Sequence, residues 1–262
     1  MFNTVVHCLQ EQHDPRLLAA AILICLISST TAIYLLGNCN TSQSGSITFK
    51  LLPAICITSI GIWATHFVAI LGYDTGLNTH YSLGLTAAAA LFAFVTVAFG
   101  MVFGAYFNSI VSHALGGVYL GLGISVMHLL GMFALKVPGS LVFHVPSTTV
   151  AILGCCLISG SAFALFARLR SGWRYPLASI LLVLAVCTLH FISISWTRFI
   201  PSPEYQDIEK GINGTVLAIV VFSLWVFVSV IALARHWAYS ADDGNEPSPE
   251  PSPETVPPSS RT

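Results

Sequence analysis

The sequence predicts an all-α, polytopic membrane protein of seven transmembrane helices, built from repeated two-helix units. Its 262 residues are 55% hydrophobic and only 8% charged, and the mean hydropathy is +0.80. One soluble core of this length cannot bury so much apolar surface, so lipid must cover part of it. Between Lys50 and Lys136 the only formal charge is Asp74. That segment offers no solvated face, which argues against a soluble fold.

Seven apolar stretches are long enough to cross a hydrocarbon core, which takes about 20 helical residues. The first stretch is too long for a signal-peptide core and has no small-residue cleavage pattern after it, so we expect it to remain in the protein. Short connections make sequential spans neighbours in an up-and-down bundle. The predicted spans cover residues 17–36, 51–72, 83–106, 114–135, 148–167, 176–197 and 213–234.

The chain divides into three predicted segments. Residues 1–16 form an N-terminal extracytoplasmic segment, residues 17–237 the membrane domain, and residues 238–262 a Pro/Ser/Glu-rich cytoplasmic tail that is expected to be disordered. Arginines cluster in the fifth connection and are expected to face the cytoplasm, which places the N-terminus outside. A net charge of −1 without a basic run argues against nucleic acid. The seven cysteines lie mostly inside spans, where we expect small buried hydrophobes rather than disulfides.

The strongest signal is the spacing of three histidines, because His66, His128 and His190 are each separated by 62 residues. A small residue recurs five positions before each histidine and three after it, which indicates a repeated two-helix unit. The three histidines fall in spans two, four and six, which run in the same direction. All three are therefore expected at one depth, near the outer face and pointing into the bundle.

Three imidazoles at one depth predict a metal site, with copper or zinc as the metal. Met132 and Cys187 lie on the same helical faces as His128 and His190. Met132 is a candidate thioether ligand that favours Cu(I), and Cys187 is a candidate thiolate ligand. The alternative for both is a packing role in the core. Met127 points about 100° away from His128 and is a weaker candidate. The alternative for the histidines is hydrogen bonding between helices. His13 precedes Asp14 and Pro15 at the start of the first span, where a capping and interface role is expected rather than metal binding.

At these residues the sequence resembles the MHYT family of bacterial integral membrane sensor domains, named for a Met-His-Tyr-Thr motif repeated in alternate helices. The resemblance covers residues 13–235. The motif positions read Thr-His-Phe-Val, Met-His-Leu-Leu and Leu-His-Phe-Ile, so the histidine is kept three times and the preceding methionine once. The resemblance implies a multi-pass protein of the bacterial inner (plasma) membrane. It also implies motif residues near the outer face that bind copper, through which oxygen, carbon monoxide or nitric oxide is sensed.

The predicted function is a non-enzymatic membrane sensor, read by a separate cytoplasmic signalling protein. Zinc and haem iron remain alternatives to copper, and the missing thioethers weaken the case for Cu(I). An intramembrane zinc hydrolase is a second hypothesis, although the spans contain no carboxylate to handle protons. A copper carrier is a third. Retinal binding is disfavoured because the seventh span has no lysine for a Schiff base.

Overall fold

The computed structural model describes residues 2–38, 47–202 and 211–243, and within these ranges the chain forms eight helices and four short strands. The helices are α1 (Phe2–Glu11), α2 (Pro15–Gly37), α3 (Ile47–Leu71), α4 (Leu83–Phe107), α5 (Ile110–Ala134), α6 (Val145–Arg168), α7 (Arg174–Ile194) and α8 (Gly214–Asp243). The strands are β1 (His80–Tyr81), β2 (Leu135–Lys136), β3 (Gly139–Val142) and β4 (Arg198–Pro201).

Seven of the described helices, α2 to α8, are long and apolar enough to cross a membrane. Large apolar side chains on their outer surfaces are strongly exposed, for example Leu91 at 65%, Leu157 at 68% and Phe227 at 61%. Such a surface is stable only against lipid. The protein is therefore a multi-pass integral membrane protein, and the predicted spans each coincide with one of these helices.

The helices are arranged as three consecutive pairs and one additional helix. Each of α2 to α6 packs against the next helix along the chain, and α7 returns to pack against α2, so the six form a ring. Contacts of α5 with α3 and α7 link the second helices of the pairs across the ring. The seventh span, α8, packs outside the ring against α3. This arrangement confirms the predicted two-helix units.

Glycines let the pairs approach closely. A Cβ on Gly116 would lie 2.4 Å from the carbonyl oxygen of Gly100, and a Cβ on Gly117 would lie 2.5 Å from that of Ser159. The backbones of α4 and α6 thus both contact α5 directly, as is usual for small residues in membrane helices. The α4–α5 turn is short because Asn108 adopts a left-handed conformation (φ 44°) and Ser109 caps α5.

The end of the bundle at which α3, α5 and α7 finish, here called the histidine end, is covered by short elements that the sequence did not predict. β1 pairs with β2, and β3 pairs with β4, both antiparallel. Helix α1 packs against α7, and its buried Cys8 is only 2% exposed. The predicted N-terminal segment is therefore mostly helical, and it forms part of the folded domain.

Two expectations concern residues at the edges of the described ranges. Helix α8 continues to Asp243, past the predicted domain boundary at residue 237. Residues 244–262, which hold most of the predicted disordered tail, and Cys39 lie outside the described residues. The sidedness of the membrane domain likewise stays a prediction.

Candidate metal centre

The three repeated histidines meet at the histidine end of the bundle. His66 lies on α3, His128 on α5 and His190 on α7, each within two turns of the helix end. All are buried, with 3%, 2% and 5% of their surfaces exposed. One ring nitrogen from each lies within 4.8 Å of the others. The three histidines therefore meet at one depth of the bundle, as predicted.

The rings face one another edge to face. Ring centroids are 4.8 Å apart for His66 and His128, 5.6 Å for His128 and His190, and 5.9 Å for His66 and His190. The Nδ1 atoms of His66 and His128 are 3.1 Å apart. Two tetrahedral ligands at zinc or copper distances of about 2.0–2.1 Å would have nitrogens roughly 3.3 Å apart. This pair therefore needs only a small adjustment to share one ion.

All four of the remaining ring nitrogens are without a hydrogen-bond partner among the described residues. These are Nε2 of His66, Nε2 of His128 and both nitrogens of His190. A buried polar atom left unpaired costs about 1–3 kcal/mol, and lipid offers no compensating water. Hydrogen bonding between the helices, the alternative to a metal site, thus explains only the contact between His66 and His128. A metal ion shared by the three rings would use a lone pair from each.

Gly131 allows α5 to approach the His66 ring. A Cβ at this position would lie 2.1 Å from Nε2 of His66 and 2.5 Å from its Cδ2. Gly131 is the small residue three positions after His128, and the repeat predicted a close helix approach there. The group that approaches Gly131 is the ring of His66, one of the three histidines of the site.

A small cavity adjoins the three rings, between α2, α3, α5 and α7. Three sulfur-containing side chains line it: Cys25, Met127 and Cys187. The predicted ligand Cys187 thus lies beside the rings. Met132, the other predicted sulfur ligand, is fully buried but is not among the residues that line this cavity. Met127, which the sequence made a weaker candidate than Met132, lines the cavity beside the rings.

A fourth histidine, His13, lies next to the cluster. Its ring centroid is 5.8 Å from that of His190 and 5.1 Å from that of Tyr73. Asp14 caps α2 as expected, with its carboxylate accepting from the backbone N–H groups of Arg16 and Leu17. The predicted capping role therefore belongs to Asp14, whereas His13 is 5% exposed and points into the fold.

Burial shifts the pKa values of three groups in the short elements that cover the histidine end, His13, Cys8 and Tyr73. It lowers the pKa of His13, partly offset by the hydrogen bond to the Cys8 carbonyl, so the neutral imidazole is favoured. Burial also raises the pKa of the Cys8 thiol. The pKa of Tyr73 is raised to about 12, by burial and by the neighbouring Cys8 and Asp74. These groups stay uncharged at neutral pH, which suits a neutral-imidazole site.

Sequence reasoning missed His13 and Cys25 as neighbours of the site. The signal that found the other histidines was the 62-residue repeat, and His13 precedes the first repeated unit. Cys25 lies in the middle of α2, the first helix of its pair, which carries no motif residue. Only the folded arrangement brings these residues to the cavity.

Comparisons with known proteins agree with this architecture. Residues 60–117 and 121–179 match the MHYT model, described as a bacterial signalling protein N-terminal repeat. The two matched ranges contain His66 and His128, and His190 lies beyond them in the third pair. No solved structure matches the chain.

Three curated relatives are signalling proteins. An uncharacterized signaling protein of Caulobacter vibrioides is 29% identical over 83% of this chain and 27% of its own length. A bifunctional diguanylate cyclase/cyclic di-GMP phosphodiesterase of Pseudomonas aeruginosa is 26% identical, over 85% of this chain and 33% of its own. A cyclic di-GMP phosphodiesterase of the same organism is 28% identical, over 86% and 29%. The chain thus spans a third or less of each relative.

Residues 60–117 and 121–179 thus match two copies of the MHYT repeat. The three helix pairs and their three motif histidines are consistent with an MHYT sensor domain.

Proposed function

We propose that this chain is a non-enzymatic membrane sensor that binds one copper ion through His66, His128 and His190 and responds to a diatomic gas or to redox state. The observation that carries the proposal is the convergence of three buried ring nitrogens within 4.8 Å of one another. Neutral imidazole is the commonest nitrogen ligand for transition metals.

The sulfur side chains favour copper over zinc. Thioether and thiol groups are soft ligands that select Cu(I) among the available first-row metals. Met127, Cys25 and Cys187 surround the cavity at the rings, so a Cu(I) ion has soft donors close to its three imidazoles. Zinc and haem iron are the alternative outcomes of the metal analysis described below.

The cavity supports a small apolar ligand. Its lining is almost entirely apolar apart from the rings, and it includes Ile22 and Phe191 between α2 and α7. Ile22 is 41% exposed on the outer surface of α2, so the cavity reaches the lipid-facing side of the bundle. Oxygen, carbon monoxide and nitric oxide dissolve in the hydrocarbon core, and this route would bring them to the metal without crossing the covered end.

A hydrolase is less well supported. Zinc hydrolases need a group that transfers protons to and from the attacking water, and among the described spanning segments none contains Asp or Glu. Asp74, the carboxylate that follows the end of α3, accepts a hydrogen bond from the backbone of Gly76 in the connecting loop. Its carboxylate is not part of the cavity lining.

The output is proposed to act through a separate cytoplasmic protein in cyclic di-GMP signalling. Two of the relatives are named for making or degrading cyclic di-GMP, and the matches cover 85% and 86% of this chain but only 33% and 29% of their own lengths. A ligand at the histidines would change the packing of the helices by its difference in affinity for the two arrangements.

The test is metal analysis of the chain purified in lipid nanodiscs. We expect one copper per chain in the wild type and none after His66→Ala, His128→Ala or His190→Ala. The matched control is His113→Ala, because His113 is also a buried histidine of α5 but bonds the backbone of Ser109 far from the cluster. A wild type without metal, or equal loss in the control, would contradict the proposal.

A further inference from the structure

His13 lies beside one ring of the metal centre, that of His190. Its centroid lies 5.8 Å from that of His190, a spacing within the 4.8–5.9 Å range found among the three repeated histidines. It contacts the cluster from the side of α1, at the covered histidine end. The remaining contacts of its ring are with Tyr73 and Phe191.

The backbone around His13 is tied to the end of α3. The N–H of Asp14 donates to the carbonyl of Gly72 at 2.7 Å, and the N–H of Asp74 donates to the carbonyl of Gln12 at 2.8 Å. These bonds form an antiparallel bridge between His13 and Tyr73. The position of His13 is thus set relative to the helix that carries His66.

The hydrogen bonding of His13 leaves one nitrogen ready to bind. Nδ1 lies 2.9 Å from the carbonyl oxygen of Cys8, and a carbonyl can only accept, so Nδ1 carries the proton. Cys8 Sγ lies further from the same nitrogen, at 4.0 Å. Nε2 is then an unprotonated acceptor, and it is buried without a partner among the described residues. Metal-binding histidines commonly have this arrangement, with one nitrogen donating to a carbonyl and the other on the metal.

We propose that His13 is a fourth imidazole ligand of the metal site, supplied by the N-terminal segment and binding through Nε2. This inference rests on the proposed function, because it adds a donor to the same ion. The nitrogens of His66, His128 and His190 lie within 4.8 Å of one another, and His13 is not part of this group. Ligation therefore draws the His13 segment and α1 towards the other three rings, which makes the position of α1 depend on metal occupancy.

The experiment adds Cu(II) alone to metal-free protein in nanodiscs and counts coordinated imidazoles by pulsed EPR. The variant is His13→Gln, whose amide can still donate to the Cys8 carbonyl and preserve the local fold. The control is His7→Ala, because His7 lies nearby on α1, six residues before His13, but is exposed. We expect four imidazoles in the wild type and the control. For His13→Gln we expect three, with an affinity at least about 10-fold weaker.

The outcomes separate the two proposals. Wild type with three imidazoles, unchanged in His13→Gln, overturns the role of His13 and leaves the three-histidine site intact. Wild type that binds neither Cu(II) nor Cu(I), or binding that survives His128→Ala, overturns both. Recovery of the fourth nitrogen signal when free imidazole is added to His13→Gly would support ligation directly, because the added ring replaces the missing side chain without restoring its chain connection. Failure of this rescue, with the metal bound by three rings, would count against it.

Discussion

Replacing Gly131 with alanine is expected to weaken copper binding by displacing the His66 ring. The added Cβ would lie 2.1 Å from Nε2 of His66, and the ring must retreat by about 1.3 Å to regain an ordinary contact of 3.4 Å. Metal sites tolerate ligand shifts of about 0.2 Å. Moving His66 also opens its 3.1 Å contact with His128. Loss of a correctly placed ligand or its support costs about 10- to 100-fold in affinity, or roughly 1.4–2.7 kcal/mol.

The effect of Gly131→Ala should be measured as a change in copper affinity rather than as a change in the free energy of unfolding. Alanine is about 1 kcal/mol more favourable than glycine inside a helix, whereas overpacking costs about 1–3 kcal/mol. These terms oppose each other in the unfolding free energy, but only the clash moves a metal ligand. The assay is a competition titration against a chromogenic copper chelator in nanodiscs, with thermal unfolding of the metal-free protein recorded alongside.

The control for this prediction is Gly84→Ala. Gly84 also lies in a membrane helix, α4, but a Cβ there would meet nothing within 4 Å. Its copper affinity is expected to equal that of the wild type. A Gly131→Ala protein with wild-type affinity would refute the steric reasoning, and an equal loss in Gly84→Ala would show that the effect does not come from His66.

Three further outcomes are expected. Gly116→Ala should lower the free energy of unfolding by about 1–3 kcal/mol without changing the copper content of folded protein, because its Cβ would meet the rigid backbone carbonyl of Gly100; calorimetry and metal analysis check this. Cys8 should react slowly with maleimide at pH 7 and faster in His13→Gly, since burial keeps the thiol inaccessible and its raised pKa reduces the thiolate. A fluorescent protein fused after the last residue should fluoresce and a periplasmic phosphatase fused there should be inactive, if the C-terminus is cytoplasmic.

The membrane helices and the three-histidine cluster could be predicted because each depends on a periodic feature of the sequence. Apolar length determines which segments cross the membrane. A spacing of 62 residues places His66, His128 and His190 at equal depths on helices of equal direction. Polar side chains inside a membrane rarely face the lipid. Three histidines at one depth were therefore expected to point into the bundle and meet there.

The parts that could not be predicted depend on contacts between distant segments. Helix α1 is short and lies outside the membrane spans, so its fold depends on docking against α7. Local spacing placed Met132 on the face of His128, but Met127 and not Met132 lines the cavity beside the rings. Which side chains of α5 line this cavity depends on the packing of α2, α3 and α7 around it and cannot be derived from one helix.

The contacts of α8 explain how a change at the histidines can reach the opposite end of the bundle. Ser28 of α2 is a junction: a Cβ on Gly61 of α3 would lie 2.2 Å from its Cβ, and Trp225 of α8 donates a hydrogen bond to its hydroxyl at 2.9 Å. Gly61 is five residues before His66 on the same helix. A movement of α3 that shifts His66 and Gly61 together would therefore change the contact at Ser28.

Further along, α8 is attached to the beginning of α3. The Arg235 guanidinium lies 3.9 Å from the centre of the Phe49 ring and donates to the Phe49 carbonyl at 3.3 Å. Helix α8 begins at the histidine end, where Ile212 bridges to Tyr81, and it continues beyond Arg235 to Asp243. It is also the least buried of the seven spans, so a shift costs it few contacts. A ligand that favours converged rings would thus favour one position of α3, and α8 would transmit that position to its far end.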